Sequence, residues 1–390
     1  MMMKKIMRAA TVGLSLNIFC NELLRQLTEM GYEVVAVSSP DEDLVTVGQR
    51  EGVRTVGVPM ERRISPWKDL VSLVRLVKVM RRERPDMVHS MTPKAGLLCM
   101  MAAWMARVPV RVHTFTGLVW PTSTGLTRRI LMMTDWLTCA CATHVIPEGE
   151  GVMADLRDGG ITRKPMRVLG YGNVRGIDLQ HYSRRPEVMT RAEQLSEEGV
   201  FTFVNVGRMV RDKGINELVQ AMLELRNDSA LEGRRVRLVL VGRFEDEVDP
   251  VSAETHRLID EMPEIVAVGP QYGDDLLAWY AAADCFVFPS YREGFPNTVI
   301  EAGAMGLPSI VTDINGSREI VVDCAKDATA ATGMIVKPQD VSTLREAMCW
   351  MLSHEAERQQ MAGRAREHVA ARWEQGFVRR CLLEFYESVI

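Results

Sequence analysis

The sequence predicts an α/β protein made of two doubly wound, Rossmann-like halves. Three observations predict it. Short apolar runs alternate with amphipathic stretches of helical length, which is the pattern of a parallel sheet covered by helices on both faces. The pattern breaks at Gly170–Arg185, a stretch rich in Gly and polar residues with Pro186 just beyond, and then starts again. At 390 residues, 47% of them apolar, the chain is long enough for two domains with a core each.

The strands expected in the first half are Ile6–Val12, Glu33–Ser38, Val53–Val58, Asp86–Ser90, Val110–Thr114 and His144–Pro147. Helices are expected at Leu16–Met30, Trp67–Arg84, Lys94–Arg107 and Gly125–Cys141. In the second half the strands are Thr202–Val206, Val236–Val241, Ile265–Val268, Cys285–Pro289, Ser309–Thr312 and Met334–Val336. Helical stretches follow at 340–354, 355–372 and 374–390. The domains are therefore expected at 1–175 and 186–373. In the last helix, Phe377, Leu382, Phe385, Tyr386 and Val389 recur at helical spacing. Spacing alone leaves it open whether this helix caps the second domain or packs back on the first.

Composition excludes several classes. A net charge of −4 argues against a nucleic-acid partner. The eight cysteines form neither a Cys-x-x-Cys pair nor a zinc-spaced cluster with His, so they read as core residues. Ile6–Val12 is strand-length and not a signal peptide. No window approaches the roughly 18 apolar residues of a membrane span. A cytoplasmic protein, peripheral on a membrane at most, is expected.

In open parallel sheets ligands bind beyond the carboxyl ends of the strands, so residues there carry the functional reading. The segment Gly207-Arg208-Met-Val-Arg-Asp-Lys213-Gly214 follows one strand. Arg208 offers a planar fork and Lys213 a mobile point charge, a pair suited to a diphosphate or, more plainly, to a solvated basic loop. The segment Glu293-Gly294-Phe295-Pro296-Asn297-Thr-Val-Ile-Glu301 follows another strand and enters a helix that Asn297 or Thr298 caps. That helix start suits an anion. Glu301, one turn inside, suits a ribose, and Glu293 suits a sugar. Their plain alternative is a surface Glu and a helix-start Glu favoured by the macrodipole.

In this order, the two segments resemble the signature of the family 4 retaining glycosyltransferases. Ala302–Pro308 and Gly316–Val321 are similar to that family as well. The resemblance covers essentially the whole chain. It implies the GT-B fold, with two Rossmann-like domains facing a cleft. It also implies that Arg208 and Lys213 hold the donor diphosphate, that Glu301 binds the ribose and that Glu293 contacts the sugar beside Gly294, Phe295, Pro296 and Asn297. No metal or other cofactor is expected, the nucleotide-sugar being a substrate, and Asp41-Glu42-Asp43 reads as a helix start. The segments Ile64–Leu70, Asp86–Leu97, Val112–Trp120 and Gly172–Asp178 resemble transferases of bacterial capsule and O-antigen assembly, which work on lipid-linked acceptors.

The first half departs from the family pattern. Many members have a His directly before the Gly at position 117, where this chain has Thr116. His89 and His113 are the candidate catalytic residues at strand ends. The glycine loop after the first strand is reduced to Gly13, the expected first-domain contact to the diphosphate. The expected function is retaining transfer of a sugar from a nucleotide-sugar, UDP by default, to a lipid-linked saccharide. The rival readings are a nucleotide-sugar epimerase of the same fold, a non-catalytic sugar-nucleotide-binding protein and, last, an NAD-dependent dehydrogenase, which lacks its Gly-x-Gly-x-x-Gly. An anionic membrane surface is a further candidate partner. Residues 62–84 carry Arg62, Arg63, Lys68, Arg75, Lys78, Arg81, Arg82 and Arg84 interleaved with Trp67, Leu70, Val71, Leu73, Val74, Leu76 and Val77, which suits anionic lipid or, more plainly, an ordinary Rossmann helix with one buried and one solvated face. Trp120, Leu126, Arg128, Arg129, Leu131, Met132, Met133 and Trp136 extend that character.

Overall fold

Strands of a parallel sheet are covered on both faces, so they read as near-continuous Val, Ile and Met runs. In the computed structural model, which describes residues 3–61, 65–227, 231, 233–247 and 249–390, these runs build two six-stranded sheets with every neighbouring pair parallel. The first compact unit runs to Gly176 and includes Gly376–Ile390, and the second spans Ile177–Gln375.

Unit 1 contains β1 (Lys5–Ala9), β2 (Glu33–Ser38), β3 (Arg54–Gly57), β4 (Met87–Met91), β5 (Val110–Phe115) and β6 (His144–Pro147), ordered β3-β2-β1-β4-β5-β6. The helices between them are α1 (Gly13–Phe19), α2 (Leu23–Glu29), α3 (Glu42–Glu51), α4 (Pro66–Glu83), α5 (Pro93–Met105) and α6 (Gly125–Cys141), with α7 (Glu150–Asp158) after β6. The strand order reverses between β1 and β4, and that switch point is where such sheets open a ligand crevice.

One expected helix, Leu16–Met30, is two. The chain breaks at Cys20–Glu22, with Glu22 at φ 61°. The reason is tertiary. The buried carboxylate of Glu51, at the end of α3, accepts the backbone N–H groups of Glu22 (2.9 Å) and Arg25 (3.2 Å), and so caps a new helix start. Asp41 is the N-cap of α3, its side chain accepting from Leu44 N at 2.9 Å.

Unit 2 comprises α8 (Pro186–Leu195), β7 (Val200–Val206), α9 (Ile215–Arg226), β8 (Arg235–Val241), α10 (Ala253–Glu261), β9 (Ile265–Gly269), α11 (Gly273–Ala281) and β10 (Cys285–Phe288). It continues through α12 (Asn297–Ala304), β11 (Ser309–Thr312), α13 (Ser317–Ile320), β12 (Gly333–Val336), α14 (Val341–Ser353) and α15 (Glu355–Trp373). Its order, β12-β11-β10-β7-β8-β9, is the same topology as unit 1, with the switch point between β7 and β10.

The polar stretch at 170–185 is tied down locally. Asn173 is buried and its side-chain oxygen accepts from the N–H groups of Arg175 (3.0 Å) and Gly176 (2.7 Å). The last helix, α16 (Gln375–Val389), belongs to unit 1: Leu382, Phe385 and Tyr386 pack with Ile6, Leu16, Leu24 and Met91. All eight cysteines are free, and five are buried. No helix among the described residues is long and apolar enough to cross a membrane.

Candidate active site

The carboxyl ends of β7 and β10 lie side by side at the switch point of unit 2, and the sequence places its two marked segments there. Gly214 sits at φ +71°, and a Cβ on it would fall 2.1 Å from the carbonyl oxygen of Pro289. Only glycine lets the β7 loop press against the end of β10. That contact brings Lys213 to Glu293, and the ammonium donates to Glu293 Oε1. Ser290 Oγ donates to the same oxygen at 3.0 Å. Both partners are mostly buried, their side chains 15% and 16% exposed. The ammonium also lies 5.5 Å from the centre of the Phe288 ring. Arg208, on the same loop, is half exposed and pairs with Glu245 at 2.9 Å. Asp212 and Arg292 brace the two loops with a 2.8 Å ion pair.

Gly294, Phe295 and Pro296 shape the approach to α12. A Cβ on Gly316 would meet Gly294 O at 2.5 Å, so the backbone here is close-packed. Phe295 is buried against Trp373, ring centres 5.8 Å apart. Asn297 is the first residue of α12 and not its cap; Pro296 occupies the cap position, and no side chain caps this end. Proline has no side-chain acceptor, so the capping expected of Asn297 or Thr298 is not made. Glu301 is buried one turn in. Its oxygens accept from Tyr182 (2.9 Å) and Tyr280 (3.3 Å).

In unit 1 the structure separates the two candidate histidines. Side chains alternate along β4 and β5, so His89 and His113 project from opposite faces of the sheet. His89 is buried, with Nδ1 at 2.6 Å from Tyr386 and Nε2 at 2.7 Å from Thr114. Arg8 donates to the Tyr386 hydroxyl at 2.9 Å. With Arg8 donating to that oxygen, the tyrosine proton is available to Nδ1, an arrangement that suits a neutral ring. Burial, with the charge of Arg8 adding to it, holds the His89 pKa well below the usual value. Both ring nitrogens are thus engaged by side chains inside unit 1. His113 also sits in the interior: Nδ1 lies 2.9 Å from Ser90 Oγ, the ring packs on Gly96, and burial pulls its pKa down to about 3. Gly13 has a local purpose too. Its N–H donates to Asp41 at 2.8 Å, and a Cβ there would collide with that carboxylate. The expected phosphate contact through this N–H is occupied by Asp41.

Several residues escaped the sequence reading. Ser290 stands two residues past the end of β10, where the strand-end rule could have found it. Asp135 lies on α6 beside Thr92, His113 and Thr116 around a small cavity, and burial raises its pKa to about 7. No local pattern signals that burial.

A repeated pair of Rossmann-like units, with paired charges gathered at the switch point of the second, fits the GT-B class. The comparisons agree. The model described as "Glycosyl transferases group 1" matches residues 200–354, and that described as "Glycosyl transferase 4-like domain" matches 16–172. The capsular polysaccharide biosynthesis glycosyltransferase CapM of Staphylococcus aureus is 27% identical over 99% of this chain and 98% of that protein. The UDP-Gal:alpha-D-GlcNAc-diphosphoundecaprenol alpha-1,3-galactosyltransferase of Escherichia coli is 27% identical over 70% of this chain and 69% of its own length. Alr3699/HepE of Anabaena, solved with UDP, superposes with a TM-score of 0.79 at 16% identity, covering 98% of this chain and 100% of that one. The chain belongs to the group 1, family 4 glycosyltransferases, in the branch that resembles enzymes of bacterial surface-polysaccharide synthesis.

Proposed function

We propose that this glycosyltransferase moves a sugar, with retention of anomeric configuration, from a UDP-sugar to a lipid-linked saccharide in capsule, O-antigen or related polysaccharide synthesis. The observation that carries the reading is the Lys213–Glu293 pair at the unit 2 switch point, with Arg208 on the same loop. Breaking the bond from the anomeric carbon to the diphosphate leaves negative charge on the leaving group and positive charge on the sugar. The Lys213 ammonium has three donors, so it holds Glu293 in place and still reaches a phosphate oxygen. Arg208 is half exposed, and its pair with Glu245 is of a kind worth at most about 1 kcal/mol, which a diphosphate outcompetes. Fixed charges of this sort stabilise the transition state without a metal ion. Glu293 faces the sugar, and Glu301 accepts a ribose hydroxyl beside its tyrosines. UDP is favoured because HepE was solved with it and the E. coli relative is named for UDP-Gal. Lipid linkage of the acceptor follows the naming of the same relative.

Unit 1 takes the acceptor and rests on the inner membrane surface. Leu73, Leu76 and Val77 of α4 face the core, yet Trp67 (81% exposed), Leu70, Val71 and Val74 face out among Lys68, Arg75 and Lys78. Leu126, Met133 and Trp136 of α6 are likewise exposed, near Arg128 and Arg129. A helix apolar on both sides and basic between them suits anionic lipid. Arg62, Arg63 and Ile64 lie outside the described residues.

The test is release of UDP from a panel of UDP-, GDP- and dTDP-sugars in EDTA, with and without a lipid-linked acceptor. Acceptor-dependent turnover of one UDP-sugar with retained configuration is expected. Turnover that needs a divalent ion overturns the metal-free part, and nucleotide release as free sugar epimer overturns the transfer.

A further inference from the structure

Behind the carboxyl ends of β4 and β5, unit 1 encloses a cavity of about 30 Å³ whose walls include Thr92, His113, Thr116, Thr134 and Asp135. A water occupies roughly 10–15 Å³ on this measure, so the space admits about two oxygen-sized groups. A pyranose ring is excluded, but one of its hydroxyl or hydroxymethyl arms fits.

Two features mark the cavity as made for a polar group. The first is Asp135 itself. It is mostly withdrawn from water, the Trp120 indole is the hydrogen-bond donor beside it, and among the described residues no cation pairs with it. A carboxylate in that position is unfavourable unless something hydrogen-bonds it. Thr116 and Thr134 share the cavity wall with it, the Thr134 hydroxyl donating to Leu131 O at 2.8 Å and so able only to accept from a ligand. The second is Thr92, at φ 69° and ψ 143°, a conformation β-branched residues rarely take. Thr11 holds it there, with the two hydroxyl oxygens 2.7 Å apart. Strain of this kind collects where a backbone must present a surface to a ligand.

We propose that this cavity is a subsite for one hydroxyl or hydroxymethyl group of a saccharide, bound by Asp135 together with Thr116 and Thr134. The proposal rests on reading unit 1 as a saccharide-binding unit. A sugar hydroxyl donates one hydrogen bond and accepts others. A carboxyl raised by burial to about 7 answers either need, as acceptor when ionised and as donor when protonated. Acceptor and donor sugars both carry such groups, and the experiment separates them.

Asp135→Asn preserves shape and removes the charge. Binding to the full chain is measured by calorimetry for UDP, UDP-glucose, UDP-galactose and UDP-N-acetylglucosamine. Saturation-transfer NMR in the presence of UDP covers free glucose, galactose and N-acetylglucosamine. The variant is expected to weaken at least one saccharide by about tenfold or more, the size of a lost charged hydrogen bond, with UDP affinity unchanged. A loss seen only with UDP-sugars assigns the subsite to the donor, and a loss seen only with free sugar assigns it to the acceptor. The thermal midpoint of the variant should equal or exceed that of the wild type. If every saccharide binds the variant as tightly as the wild type, or none binds either, the subsite does not exist. A lowered midpoint with unchanged binding makes Asp135 a structural carboxylate and also overturns the proposal. Donor turnover by the wild type is read separately, so failure of the transferase reading is distinguishable from failure of the subsite.

Discussion

Lys213 and Glu293, 80 positions apart in the chain, form a mostly buried ion pair that joins the ends of two adjacent strands. Lys213→Ala leaves Glu293 without its cation. It should destabilise unit 2 by about 2 kcal/mol and lower kcat/KM by about 100-fold or more. Adding Glu293→Gln removes the uncompensated charge. The double variant should recover most of the stability and none of the activity. Denaturant unfolding and donor turnover on the four members of the cycle measure both. Full additivity in stability would show that the pair is not coupled.

Arg208 behaves differently because it is itself half exposed. Arg208→Ala should change stability by less than about 0.5 kcal/mol, the range of surface substitutions. Its kcat should fall by about 10-fold to 100-fold if the fork meets the leaving diphosphate. Near-normal turnover in a folded variant would remove Arg208 from the diphosphate site.

Tyr386 closes a chain of buried hydrogen bonds from Arg8 through His89 to Thr114. Tyr386→Phe strands a guanidinium N–H and an imidazole nitrogen. A loss of about 2 kcal/mol is expected from urea unfolding, with kcat changed only a few-fold. A collapse of kcat at unchanged stability would make His89 catalytic.

His113 has a folded pKa of about 3 against 6.5 unfolded. Between those values the unfolded chain binds more protons, so stability rises with pH and is lost as pH falls below about 6.5. At pH 5.5 the deficit is about 1.4 kcal/mol from this residue. His89, also depressed, adds to it in the same direction. Asp135, raised to about 7, works oppositely between 3.8 and 7. The check is therefore a difference: the pH slope of unfolding in wild type against His113→Gln. The variant should show the shallower acid loss, and equal slopes would contradict the buried neutral ring.

Trp67→Glu with Val71→Glu places two acids on the outward face of α4. Flotation with vesicles containing anionic phospholipid should recover wild-type protein at low salt and markedly less of the variant. Equal flotation, or none for the wild type, would exclude this face as the membrane contact.

The sheets were legible because a doubly covered strand must be apolar along its length, and β2, β6 and β11 match their expected limits residue for residue. The meeting of Lys213 and Glu293 was foreshadowed by their places just past two strand ends, where open parallel sheets put ligands. What escaped depends on residues distant in sequence. The break between α1 and α2 needs the carboxylate of Glu51, and Glu301 gains Tyr182 and Tyr280 only when the chain folds. Gly13 was read as a phosphate contact, whereas its closeness serves Asp41. Asp135 shows no periodicity of its own, and its burial comes from how α6 lies on the sheet.

The docking of α16 on unit 1 constrains how the protein can be made. Leu382, Phe385 and Tyr386 complete a core whose other members lie before residue 177. On the ribosome, the first sheet emerges early, but its last layer arrives only after all of unit 2 has been synthesised. Until then the cavity meant for Tyr386 is empty, and Arg8 and His89 lack their shared partner. A fragment ending near Gly176 should consequently behave as a loosened, chaperone-dependent species. It becomes a stable domain only when a peptide carrying α16 is supplied in trans.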